Sequence, residues 1–177
     1  LNAGYRLYAN NYSESRSHNL MVQRLSVTPG YTLQTGNISL PIEFQHIFLD
    51  EDEYAYLASI NPAIKFTLDT GHIGEFSLGY VHRDMLGHIS SNDNDRDGDI
   101  YSAGIGYFHP TFDGMGLFKA GYELSKDSTE GVNWNNIGNR LNIGALIPIR
   151  DNVGLTLAYD VFLQRYENVN DTKRRDR

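Results

Sequence analysis

The chain has 177 residues, no cysteine and a formal net charge of −7. Its length is that of one domain; the missing cysteine excludes a disulfide framework and cysteine-ligated metal, and suits an oxidising envelope compartment. The acidic balance argues against a nucleic-acid partner, and no apolar run reaches the roughly 18 residues of a spanning helix, a test that alternating barrel strands escape.

Alternation of apolar and small or polar residues starts at once and is the signal of half-buried strands. Leu1, Ala3, Tyr5, Leu7 and Ala9 share one face of a first strand, with Asn2, Gly4, Arg6 and Tyr8 opposite. A polar loop, Asn11 to His18, leads to a second strand over about Met21 to Leu33, and Thr35-Gly36-Asn37 turns the chain into a third over Ile38 to Phe48. The acidic stretch Asp50 to Glu53 reads as a loop before a fourth strand, Tyr56 to Leu68. Pro29, Pro41 and Pro62 fall inside these strands, where proline marks an edge or a bulge, yet none of them shifts the alternation.

After the tight turn Asp69 to His72, a fifth strand carries Phe76, Leu78, Tyr80 and His82 against Glu75, Ser77, Gly79 and Arg83. A long polar loop, Asp84 to Asp99, separates it from the sixth, Tyr101 to Phe108; Pro110 to Gly114 then turns into the seventh, Phe118 to Ser125. Another long loop, Lys126 to Gly138, opens the clearest unit of all, a hairpin over Asn139 to Leu163 around Arg150-Asp151-Asn152. A tenth strand is expected near Thr172.

This spacing predicts an all-β, antiparallel up-and-down transmembrane β-barrel with nine to ten strands present. Its strands have about the 9 to 11 residues a tilted barrel strand needs to cross the hydrocarbon layer. Connections are expected to alternate long and short without exception, as external loops and periplasmic turns do in outer-membrane barrels. The polar register is rich in glycine and poor in Lys and Glu, unlike the wet exterior of a soluble sheet, while the apolar register is free of charge in the strand cores. The apolar side chains are therefore expected to face lipid. Tyr5, Phe48, Tyr54, Tyr56, Tyr80, Tyr101, Tyr107 and Tyr166 would stand near the interfaces as girdles.

The candidate lumen-lining set is the charged part of the polar register: Arg6, Arg24, Glu43, Lys65, Glu75, Arg83, Lys119, Glu123, Arg140 and Asp160. These residues either bias a conduit or satisfy one another across strands. Asp93, Asp95 and Asp97 open like a calcium loop with Gly98 at the sixth position, but Gly104 stands where the twelfth-position carboxylate belongs. His46, His82 and His109 lack any ligand partner at fixed spacing and read as interfacial. The stretch Asp93 to Asp99 therefore reads as a solvated acidic loop in preference to a calcium site; no nucleophile motif is present, so no enzyme activity and no cofactor is expected.

Arg96 to Gly104 (RDGDIYSAG), Tyr122 to Asp127 (YELSKD), Gly138-Asn139-Arg140 and Lys173-Arg174-Arg175-Asp176 resemble the C-terminal barrel of outer-membrane proteins with periplasmic tetratricopeptide repeats. That group is similar to the surface lipoprotein assembly modifiers and, more distantly, to exopolysaccharide exporters. The resemblance implies a larger barrel, of which residues 1–177 would be a partial domain cut at both ends. It also implies a periplasmic repeat domain in the same parent chain, and no catalytic residues. The expected function is a conduit in the bacterial outer membrane that exports or translocates a polymer or lipoprotein, with the bilayer and an exported cargo as partners. The alternatives are a passive diffusion porin or structural barrel, and a soluble ligand-binding barrel with the apolar register turned inward.

Overall fold

The computed structural model describes residues 1–11, 19–50, 52–68, 71–86, 94–150 and 153–168. Among the described residues alternation has become one antiparallel sheet, all β apart from short 3-10 turns. Its strands are β1 (Asn2–Asn10), β2 (Leu20–Thr28), β3 (Gly30–Leu33), β4 (Gly36–Ser39), β5 (Ile42–Leu49), β6 (Asp52–Ile60), β7 (Ala63–Thr67), β8 (Ile73–Met85), β9 (Gly98–Thr111), β10 (Gly116–Thr129), β11 (Asn136–Arg150) and β12 (Val153–Tyr166). The through-going order is β1-β2-β5-β6-β8-β9-β10-β11-β12, each strand beside its neighbour in sequence, with β3, β4 and β7 completing the strands that proline divides.

The prolines interrupt hydrogen bonds without moving the register. Val27 pairs with Ile42 and, beyond Pro29, Gly30 pairs with Ser39; Ile60 pairs with Tyr80 and, beyond Pro62, Ala63 pairs with Ser77. Each proline still accepts from the next strand, since Leu40 N donates to Pro29 O, Asn61 N to Pro41 O and Leu78 N to Pro62 O, all at 2.9 Å. What is lost is the return bond, because proline has no N–H. Three adjacent strands therefore share one line of half-made pairs, and nine through-going strands are counted as twelve.

The connections depart from strict alternation of length at one place. At one end of the sheet the links are residues 34–35, 68–72, 112–115 and 151–152; at the other they are 11–19, 50–51, 86–97 and 130–135. The acidic link at 50–51 is as short as a hairpin turn, because Asp52 and Glu53 already pair with Leu49 and Phe48 past a bulge. The loop expected over Lys126 to Gly138 also shrinks, since β10 and β11 stay paired as far as Asp127 and Asn136. For brevity, these two ends are the turn end and the loop end. The tenth strand expected near Thr172 lies outside the described residues.

Among the described residues no second layer covers the sheet. The accessible surface is 12617 Å², against about 8,700 Å² for a compact monomer of this mass. The buried apolar core of the described residues is Ala55 alone. Leu141 is 45% exposed, Ile105 63% and Leu157 51%, all on the apolar register. Residues of the polar register are the more shielded: Gly104, Gly138 and Gly144 are buried, and Ser77, Glu75 and Asn142 half-buried. With nothing stacked on either face, this asymmetry is that of a sheet curled toward its polar side, where side chains converge instead of splaying. Glycine makes room for that convergence. A Cβ at Gly138 would stand 2.5 Å from Ser125 Oγ and 2.7 Å from the Phe162 ring, and one at Gly104 2.8 Å from Ser77 Oγ.

Candidate functional site

The strand registers bring all ten charged residues picked from the sequence to one face. Arg6 lies opposite Arg24 and Ser26 opposite Glu43; Lys65 faces Glu75; Glu75 and Gly106, then Gly121 and Asn142, run in one rung that ends at Asp160. Arg83, Lys119, Glu123 and Arg140 fall on the same register. Most of these groups answer one another: Arg24 to Glu43 at 3.4 Å, Lys65 to Glu75 at 3.0 Å and Arg140 to Asp160 at 3.4 Å. Arg6, Lys119 and Glu123 make no ion pair among the described residues.

Asp127 belongs to this set and was hidden by the expected loop. Continuing the alternation from Glu123 and Ser125 by one more step would have found it. Arg83 holds it with both terminal nitrogens, at 3.0 and 3.3 Å, while Arg83 Nε donates to Arg96 O at 2.7 Å. Both side chains are less than one fifth exposed, so this pair is the best shielded of the series. Asn136, almost fully buried, donates to Asp127 Oδ2 and to Trp134 O. Over them the Arg96 guanidinium lies 3.8 Å from the Trp134 ring centre, and Glu130 N and Gly131 N donate to Asp97 O and Asp95 O. Two loop-end connections are thereby fastened together above the polar register.

Toward the middle of the sheet the same face opens. Glycines at 104, 106 and 121 floor a trough of about 190 Å³, walled by Glu75 on one side and by Glu123 and Asn142 on the other. Lys119 borders it, and Lys65 sits 5.2 Å over the Phe108 ring at its edge. The arrangement offers charges of both signs, an amide and one aromatic ring to whatever passes along it. No nucleophile is paired with a base there.

The calcium candidates are engaged otherwise. Asp95 Oδ1 accepts from Asp97 N at 2.9 Å, and Asp97 Oδ1 accepts from Met85 N at 2.5 Å, so both carboxylates brace the loop backbone. Asp93 lies outside the described residues, and position twelve, Gly104, is in β9 and paired on both sides. Among the described residues no three His, Asp or Glu side chains gather as a metal site.

Clusters of aromatic rings stand toward both ends of the apolar register, while Tyr122 and Tyr159 stand mid-strand. Toward the loop end, His46 lies 3.9 Å from the Phe48 ring and 4.3 Å from Tyr56, and Tyr80 lies 5.4 Å from Tyr101; Tyr80 and His82 both bond Asp99 at 2.9 Å. Toward the turn end, His72 bonds Tyr107 and its ring is 4.3 Å from His109. Tyr166 departs from the girdle expected for it: it pairs with Asn136 on the polar register and meets Trp134 edge-on. Tyr5 stands mid-strand in β1, and Tyr54 falls in the bulge of β6.

Comparison of the chain with protein-family models, curated protein sequences and solved structures finds no match.

Proposed function

We propose that this sheet is the wall of an outer-membrane β-barrel whose polar register lines a conduit for export or translocation of a polymer or lipoprotein. One observation carries the reading: the greasy register is the open face of a single-layer sheet, and from β8 to β11 the polar register is the more shielded one, with ion pairs across its strands. In water the opposite assignment is favoured, since each exposed Leu or Ile forgoes about 1.5 to 3 kcal/mol of burial. In a bilayer the observed assignment is the favourable one, because acyl chains cover the apolar side and a curled sheet encloses the polar side. The aromatic groups at both ends fit the two interfaces. The resemblance to barrels that follow periplasmic repeats is what points to export, with a repeat domain of the same parent chain as the partner on the turn side.

The second reading is a passive porin or a structural barrel. Cross-strand ion pairing favours it, since Arg24–Glu43, Lys65–Glu75 and Arg140–Asp160 already satisfy one another. Conductance in planar bilayers separates them: an open porin gives steady ohmic steps by itself, an export conduit gives steps only once cargo or partner is supplied, and a structural barrel gives none in either case.

The membrane assignment is tested by tryptophan quenching. In a Trp134→Phe background, Leu141→Trp should be quenched by brominated phospholipid chains, and Asn142→Trp should not. Quenching of Asn142→Trp alone, or of neither, overturns the reading.

A further inference from the structure

The eight pairings that join the nine through-going strands are all antiparallel. β1 and β12 consequently run the same way, from the turn end to the loop end, and each has one flank without a partner strand among the described residues. Bringing these edges together would put one parallel seam into a wholly antiparallel sheet, at a poorer hydrogen-bond geometry. A ring of copies inserted in one orientation has the same fault, since β12 of each copy would meet β1 of the next in parallel.

Charge marks one of the edges. Arg6 stands directly opposite Arg24, and like charges at facing positions are destabilising. Arg24 is relieved by Glu43 at 3.4 Å. Arg6 makes no ion pair among the described residues, and the open flank of β1 is the side from which one can still come. On the other edge Asp160 is already held by Arg140 at 3.4 Å.

We propose that β1 and β12 are separated, in the closed protein, by an odd number of further polypeptide strands with the same apolar-outward alternation. The strand beside β1 runs from the loop end to the turn end and places a carboxylate opposite Arg6. Such a strand meets both edges antiparallel and satisfies the backbone groups that lipid cannot. The proposal rests on the barrel reading, and the bromolipid experiment decides that reading separately, because it probes the middle of the sheet and not its edges.

The chain has no cysteine, so thiol pairs can be placed on a clean background. In membranes of the cells that make the protein, Leu7→Cys with Gln23→Cys, neighbours across β1 and β2, should be joined by a short bifunctional thiol reagent. Leu7→Cys combined in turn with Leu155→Cys, Leu157→Cys, Tyr159→Cys or Val161→Cys should not be. A β1–β12 link within one chain as efficient as the control overturns the proposal in favour of direct closure; the same link between two chains overturns it in favour of a ring of copies. Arg6→Glu supplies the second measurement. With a carboxylate across the open flank, it lowers the unfolding temperature, read from heat-dependent gel mobility, by about 2 to 4 °C. Without that carboxylate the new acid faces Arg24, and a rise or no change overturns the assignment.

Discussion

The sheet changes character at β8. From there onward each strand crosses unbroken, thirteen to fifteen residues long, and the polar-register positions of β10 and β11 at the loop end are Asp127 and Asn136. Before β8 three of the four through-going strands are divided at proline, and the polar-register positions at the same end are Val22, Ile47, Ala55 and Leu57. One half shields its loop end with a clamp of Arg83, Asp127 and Asn136; the other does so with apolar packing that makes Ala55 the most buried apolar residue, at 1% exposed. A polar face is therefore not polar throughout. Register decides which way a side chain points, and local composition decides how it is satisfied once there.

The largest expected effect asks whether both halves stand in one bilayer. Leu141→Lys in β11 and Phe44→Lys in β5 each put a charge on the open apolar register. If both lie near the midplane, each should destabilise the protein in vesicles by about 2 to 4 kcal/mol, measured by urea unfolding. A full penalty for Leu141→Lys and none for Phe44→Lys would mean that the proline-crossed half is out of the hydrocarbon. Next in size is crowding on the curled side. Gly138→Val, whose Cβ meets both Ser125 and Phe162, should cost about 1 to 3 kcal/mol by the same assay. Gly4→Ala in the other half has only Ser26 Oγ at 3.3 Å to displace, so it should cost visibly less. Equal costs would show that the two halves are curled alike.

Much of this was legible in the sequence. Strict alternation from Leu141 to Leu163 fixes faces without reference to any partner, and the ten charged positions share a side because their spacing along each strand is even. The unread parts have physical causes. Lys126, Asp127 and Ser128 look like loop because they are polar, yet an extended strand accepts polar residues wherever a cross-strand partner such as Arg83 awaits. Asp50 to Glu53 looks like a solvated loop for the same reason, while Asp52 and Glu53 pair in β6. The apolar patch on the polar register at Val22, Ile47 and Leu57 escaped because alternation is judged one strand at a time, and the patch exists only after three strands are laid side by side. The alternation of long and short links failed at residues 50–51 because loop length follows the last paired residue, which composition does not specify.

Restoring a donor sharpens the contrast from the side of the broken half. Pro62→Val keeps a β-compatible side chain and supplies the N–H that the pair with Leu78 lacks. If the line of prolines only weakens the ladder, the variant should gain about 0.5 to 1.5 kcal/mol, one ordinary hydrogen bond. If the line is a bend that curls the sheet, stability falls and the half-made pairs are part of the shape.

The smallest effect carries the most information about function. Arg140–Asp160 in the unbroken half and Arg24–Glu43 in the broken one are both partly exposed, with Arg140 and Asp160 near one half. Wetted pairs of this kind couple by about 0 to 1 kcal/mol, and less as salt is added. A double-mutant cycle with Arg140→Met and Asp160→Asn should therefore give a coupling in that range that fades between low and high salt, with the same result for Arg24→Met and Glu43→Gln. Coupling of several kcal/mol, insensitive to salt, would mean that the pair sits in a dry interior of low dielectric. A conduit needs water along its wall. A strong, salt-blind pair in one half and a weak, salt-screened one in the other would place the passage beside the weak pair and a packed wall beside the strong one.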